Sequence, residues 1–206
     1  MRVTAVPNAP GRTDKFGDPV KLQMARYEWA DAGTPPEPKR LGNWLVVEDG
    51  ASRDLADRIV EDFHNASVSV SARLRTGPQE RADGLEISVP LESAAIERAL
   101  GRMGPLAGVV FVHGAQARLD SQDPTGAQAL LLMIEVSRCL ARLELEQRPR
   151  AYVITHNAFK IMDNDAPVQP AQTALAGFAR VAFNEIEGVH VSSVDLPATP
   201  SAVDIN

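Results

Sequence analysis

Residues 150–187 read RAYVITHNAFKIMDNDAPVQPAQTALAGFARVAFNEIE. The stretch opens on an apolar run, Tyr152-Val153-Ile154, of the kind a buried central strand needs. A polar loop with Pro167 and Pro170 follows. Leu175, Phe178, Ala179 and Ala182 then recur at the spacing that gathers side chains on one face of a helix. Strand, loop and helix in this order make one repeat of a parallel α/β sheet, and the spacing predicts that these helix residues are buried.

The same alternation extends outward in both directions. Trp44 to Val47 reads as a strand, and Ser52 stands where a helix cap belongs, ahead of Leu55, Ile59, Val60 and Phe63 on one face. Val68 and Val70 alternate with serines as a second strand, residues 73–84 read as a polar loop, and Leu85, Ile87 and Val89 as a third strand. Leu91, Ala95, Ile96, Ala99, Leu100 and Met103 form an amphipathic helix that Gly104 and Pro105 stop. Val109 to Val112 is continuously apolar, as a strand covered on both faces must be. Asp123 and Pro124 start a helix reaching about residue 145, and Val189, Val191 and Val194 mark a last strand. The expected fold is α/β: a Rossmann-like, mainly parallel sheet of about six strands with helices on both faces.

Residues 1–41 hold Pro7, Pro10, Pro19, Pro35, Pro36 and Pro38 and read as a linker. Within it Arg26 to Trp29 alternates polar and aromatic residues, a docking strand near residues 25–29. The domain proper is expected over residues 42–198, with a tail at 199–206.

The 206 residues are 44% hydrophobic and 23% charged, which supports one packed core. A net charge of -6 repels phosphate, so neither nucleic acid nor a membrane surface is an expected partner. The sole cysteine, Cys139, permits no internal disulfide and fits a reducing cytoplasm. It lies in an apolar run and reads as a small buried side chain rather than a nucleophile. The first residues carry no signal-peptide core, and the longest apolar run, at residues 127–134, is too short to span a bilayer.

A sheet of this type raises the question of a dinucleotide. Its pyrophosphate needs a glycine-rich turn between the first strand and helix. Here the turn reads Glu48-Asp49-Gly50-Ala51-Ser52, with one glycine and two carboxylates where phosphate charge would sit. Arg73 and Arg75 stand where basic residues hold a 2′-phosphate in some reductases; without the turn they read as solvated loop arginines. His64, His113, His156 and His190 show no metal-ligand spacing. No cofactor or metal is expected.

Several segments resemble the ketoreductase region of modular polyketide synthases. They are Ala25-Arg26-Tyr27-Glu28-Trp29, Asn43-Trp44-Leu45-Val46-Val47, Gly108-Val109-Val110-Phe111-Val112-His113-Gly114, Val194-Asp195-Leu196 and, most specifically, Pro170 to Val181, which is similar to the signature P-A-Q-x-x-L-x-G-x-x-R-V. That region resembles two short-chain-dehydrogenase-like halves, one catalytic and one a truncated structural subdomain. The resemblance is to the structural half, a pseudo-ketoreductase.

The resemblance implies that the catalytic positions are degenerate. Leu175 stands where the tyrosine of a working half belongs, Ala179 at the asparagine, Asp123 at the lysine, and Thr155 and His156 at the serine pair. Leucine cannot donate a proton. The implied function is stabilisation of a catalytic half within a multienzyme that is not an enzyme by this part alone. The implied partners are that catalytic ketoreductase subdomain and adjacent dehydratase, enoylreductase or methyltransferase domains, in a homodimeric parent synthase. Two features depart from the family: residues 157–169 are long and polar, and the segment before Ala25 resembles the exit of a preceding dehydratase. The alternative is a divergent stand-alone reductase or hydrolase using His156 with Asp163 or Asp165.

Overall fold

The computed structural model describes residues 2–6, 24–28, 42–66, 68–113, 125–142, 149–160, 167–185 and 190–197. The chain divides into two compact units, Met1–Lys39 and Arg40–Asn206. The first holds β1 (Arg2–Val6) and β2 (Met24–Glu28), an antiparallel ribbon pairing Arg2 with Glu28 and Val6 with Met24. The strand near residues 25–29 thus has a partner within its own unit. Its partner, five residues running up to Pro7, carries too little pattern to separate a strand from a terminus.

The second unit is a seven-stranded sheet. Its elements are β3 (Asn43–Glu48), α1 (Arg53–Asn65), β4 (Ser69–Thr76), β5 (Arg81–Asp83), β6 (Glu86–Val89), α2 (Ser93–Gly101), β7 (Gly108–Val112), α3 (Thr125–Arg142), β8 (Arg150–His156), α4 (Pro170–Glu185) and β9 (His190–Leu196). The strands lie in the order β5-β6-β4-β3-β7-β8-β9, and every neighbouring pair is parallel except β5 and β6. Without β5, this is the doubly wound order in which the first strand is central and the two halves run outward from it.

Period-two alternation along β3 sorts the core into two layers. Leu45 and Val47 face α2, α3 and α4, with Leu74, Phe111, Val153, Leu132 and Leu175. Trp44 and Val46 face α1, with Ala56, Ile59, Val110 and Val112. Helices therefore cover both faces, as the alternation predicted.

One region differs from expectation. Residues 73–84 are not a loop: β4 continues to Thr76, and Arg81–Asp83 adds an antiparallel edge strand. The sheet gains a seventh strand. Gly84, at φ 59, opens the two-residue turn between the paired Asp83 and Glu86. A hairpin of this length demands positive φ at its first central residue, so the Gly84-Leu85 pair carries the turn signal. No described helix is long and apolar enough to cross a membrane.

Candidate functional site

Open α/β sheets place ligands outside the carboxyl ends of their strands, where the strand order reverses. Here that point lies between β3 and β7. After Glu48 the chain makes a single 3-10 turn, Gly50–Ser52, and enters α1. The Ser52 hydroxyl sits 2.9 Å from the Val112 carbonyl and 3.0 Å from that of Asp49, pinning the turn to the end of β7. Gly50 is exposed, and a Cβ there would meet nothing within 4 Å. The turn thus has no crowding that only glycine would relieve.

Beside this turn, where β3, β4 and α1 meet, lies a buried ion pair. Glu48 is 2% exposed, and Arg73 Nη2 donates to its Oε2 at 2.7 Å. Arg73 Nη1 donates to Asp57 of α1. Burial opposes the Arg73 charge, but hydrogen bonding and attraction to Glu48, then Asp57, outweigh it and hold its pKa above the usual arginine value. Arg73 is a buried strand residue, not a solvated loop residue. Glu48 is neutralised in place, so repulsion from a bare Glu48 carboxylate is not what occupies the turn. Arg75 remains part-exposed, 3.4 Å from Glu86.

His113, at the end of β7, is fully buried, with Nδ1 3.8 Å from Asp49 Oδ2. Neither of its ring nitrogens has a hydrogen-bond partner among the described residues.

The end of β8 is tied down by its neighbours. Thr155 donates its hydroxyl to Asp195 Oδ1 at 2.9 Å, and the same carboxylate accepts the Ala158 and Phe159 amides at 2.9 and 3.1 Å. His156 is 3% exposed, its Nδ1 lies 3.1 Å from the Pro197 carbonyl, and its amide donates to buried Gln172 at 3.2 Å. Asp195 and Gln172 went unread as organising groups, because no local pattern says that β9 and the first turn of α4 converge on the end of β8.

On α4, Leu175 is fully buried, Ala182 is 2% exposed and Ala179 3%, all packed inward; Phe178 is half-buried. Asp123, Asp163 and Asp165 lie outside the described residues, so the pairing of His156 with either of the last two does too. Among the described residues no cluster of three His, Cys, Asp or Glu side chains suits a metal ion.

No family model matches the chain. Among curated relatives, a phenolphthiocerol/phthiocerol polyketide synthase of Mycobacterium tuberculosis is 28% identical over 201 residues, 91% of this chain. Polyketide synthase GfsA of Streptomyces halstedii is 27% identical over 184 residues, 85% of this chain. The chain is homologous to part of polyketide synthases. It spans only 11% and 2% of those two relatives. Among solved structures, A-type ketoreductases from a modular polyketide synthase superpose with a TM-score of 0.61 at 19% identity, over 86% of this chain and 35% of theirs. An A1-type ketoreductase superposes with a TM-score of 0.60 at 20% identity, again over 35% of its chain. The chain thus has the Rossmann-like fold seen in those ketoreductases.

Proposed function

We propose that this segment is the non-catalytic structural subdomain of a polyketide-synthase ketoreductase, which stabilises a catalytic half and helps order neighbouring synthase domains. The observation that carries the proposal is the inward face of α4. Where the resemblance puts a proton donor, Leu175 is sealed in the apolar core with Ala179 beside it. Neither side chain has a proton to give, and neither meets a crevice. The turn after β3 supports the same reading. Its Glu48 is paired with Arg73, and the Ser52 hydroxyl is committed to the Val112 carbonyl. The match to about a third of each solved ketoreductase chain suits one half of a two-part domain. On this reading residues 42–198 form the subdomain, residues 1–41 lead in from a preceding domain, and residues 199–206 lead out.

Fluorescence titration of the whole chain with NADPH tests the proposal. No saturable binding is expected. Saturable binding that is weakened by Gly50→Val overturns it. A reductase or hydrolase centred on His156 is less well supported, because the ring is buried and its Nδ1 is occupied by the Pro197 carbonyl.

A further inference from the structure

The two faces of the sheet are covered unequally. Helices α2, α3 and α4 seal one of them. On the other, α1 lies over β3 and β4. No other described helix lies on that face, and β8 and β9 reach out beyond α1. A sheet of parallel strands is ordinarily covered on both faces.

Strand register gives the content of the uncovered strip. On β8, Tyr152 and Ile154 pack on the α1-side layer, and both stay half-buried. Their register partners on β9 are Ser192 and Val194, which therefore share that face. Ser192 is exposed, and Val194 is 43% exposed. One step toward the amino end, Arg150 pairs with His190, both exposed. The opposite face of β8 is different, with Ala151 and Val153 buried. The strip thus runs from Arg150 at one end to Ile154 and Val194 at the other, and it carries no carboxylate. Arg150 has no ion-pair partner among the described residues.

The dimensions fit one helix. Two strands about 4.8 Å apart make a strip about 10 Å wide, the width of a single helix. Its midline lies about 14 Å, or three strand spacings, from the boundary of β3 and β4 under α1. Helices that pack side by side need about 8–10 Å, so one more fits beside α1.

We propose that the β8–β9 strip on the α1 side seats one amphipathic helix from another segment of the synthase polypeptide, antiparallel to the strands and ending at Arg150. The occupant follows from length: this chain spans only 11% and 2% of the two relatives, so most of such a polypeptide lies outside it. The direction follows from charge. A helix carries partial negative charge at its carboxyl end, and an unpaired Arg150 meets it there. Tyr152, Ile154 and Val194 then receive its apolar face. The proposal needs the chain to be part of a synthase and goes beyond the structural-subdomain reading, since it holds whether or not the chain is catalytic.

Maleimide labelling of Val194→Cys, in the chain alone and in the assembled synthase, tests the proposal. Native Cys139 is buried and adds little signal. In the chain alone Val194→Cys should label about as fast as Leu85→Cys, at another exposed apolar position. In the synthase its rate should fall at least about tenfold, because the thiol is covered. Adding Arg150→Glu should raise that rate again about threefold, since a carboxylate then opposes the helix end. Both positions are exposed, so neither change should lower the melting midpoint of the chain alone. Equal labelling of Val194→Cys in the chain and in the synthase overturns the proposal. Protection that Arg150→Glu leaves untouched overturns it as well, because the occupant then does not end at Arg150. Protection already present in the chain alone, with a dimer in sedimentation, assigns the strip to a second copy and also overturns it.

Discussion

Arg73 holds a charge inside the domain because two carboxylates meet it from different elements, Glu48 on β3 and Asp57 on α1. Removing it leaves Glu48 buried without a cation. Arg73→Ala should therefore destabilise the domain by about 3 kcal/mol, read as a lower urea midpoint. The double variant Arg73→Met with Glu48→Gln should recover part of that loss, because no bare charge remains inside. Cys139 makes a second prediction at this scale. Burial pushes its thiol up to about 11, and Glu97 and Glu135 add to the effect. Near neutral pH it is almost entirely a thiol, so a thiolate-selective reagent should label it only after unfolding.

Among the elements, β3 and β7 are in register with Trp44 opposite Gly108. A Cβ at Gly108 would fall 2.3 Å from Trp44 Cζ3 and 2.5 Å from Cη2. The indole cannot swing aside, because it packs between Phe63 at 5.2 Å and Tyr152 at 6.0 Å. Gly108→Ala should cost about 1–3 kcal/mol of stability through overpacking, measurable by thermal denaturation. Asp195 joins β9 to the end of β8 by accepting from Thr155, Ala158 and Phe159. Asp195→Ala strands those donors and should cost about 2 kcal/mol. Its distinguishing sign is faster amide exchange at Ala158 and Phe159, with exchange in β3 and β7 nearly unchanged.

For the molecule as a whole, acid sensitivity follows from ion pairs that link distant segments. A hydrogen bond from Arg98, with Arg102 beside it, lowers the pKa of Glu80. Arg53 and then Arg75 lower that of Glu86, and Ser93 and then Arg138 lower that of Glu135. Each folded pKa lies below the unfolded value of about 4.3. The linked stability is fully present above that value and is lost as pH falls through the folded pKa values. Thermal midpoints should therefore hold level from neutral pH to about 5 and drop below about 4. The drop should shrink in high salt, because these pairs are exposed and screened.

The sequence alone determined the alternation of strands and helices, and with it the doubly wound sheet, because burial imposes a period of two on a strand and about 3.6 on a helix. It also marked Leu175 and Ala179 as side chains without proton chemistry, since residue identity settles that wherever the helix lies. The tertiary structure decided what surrounds them. Only the parallel register of β3 and β4, with α1 packed across them, brings Glu48, Arg73 and Asp57 together from separate segments. Arg73 and Glu80 look solvated in a local window because their partners, Glu48 for the one and Arg98 and Arg102 for the other, lie far along the chain. The convergence of Thr155, His156, Gln172 and Asp195 was hidden for the same reason: hydrogen bonds between strand ends leave no periodic trace in the sequence.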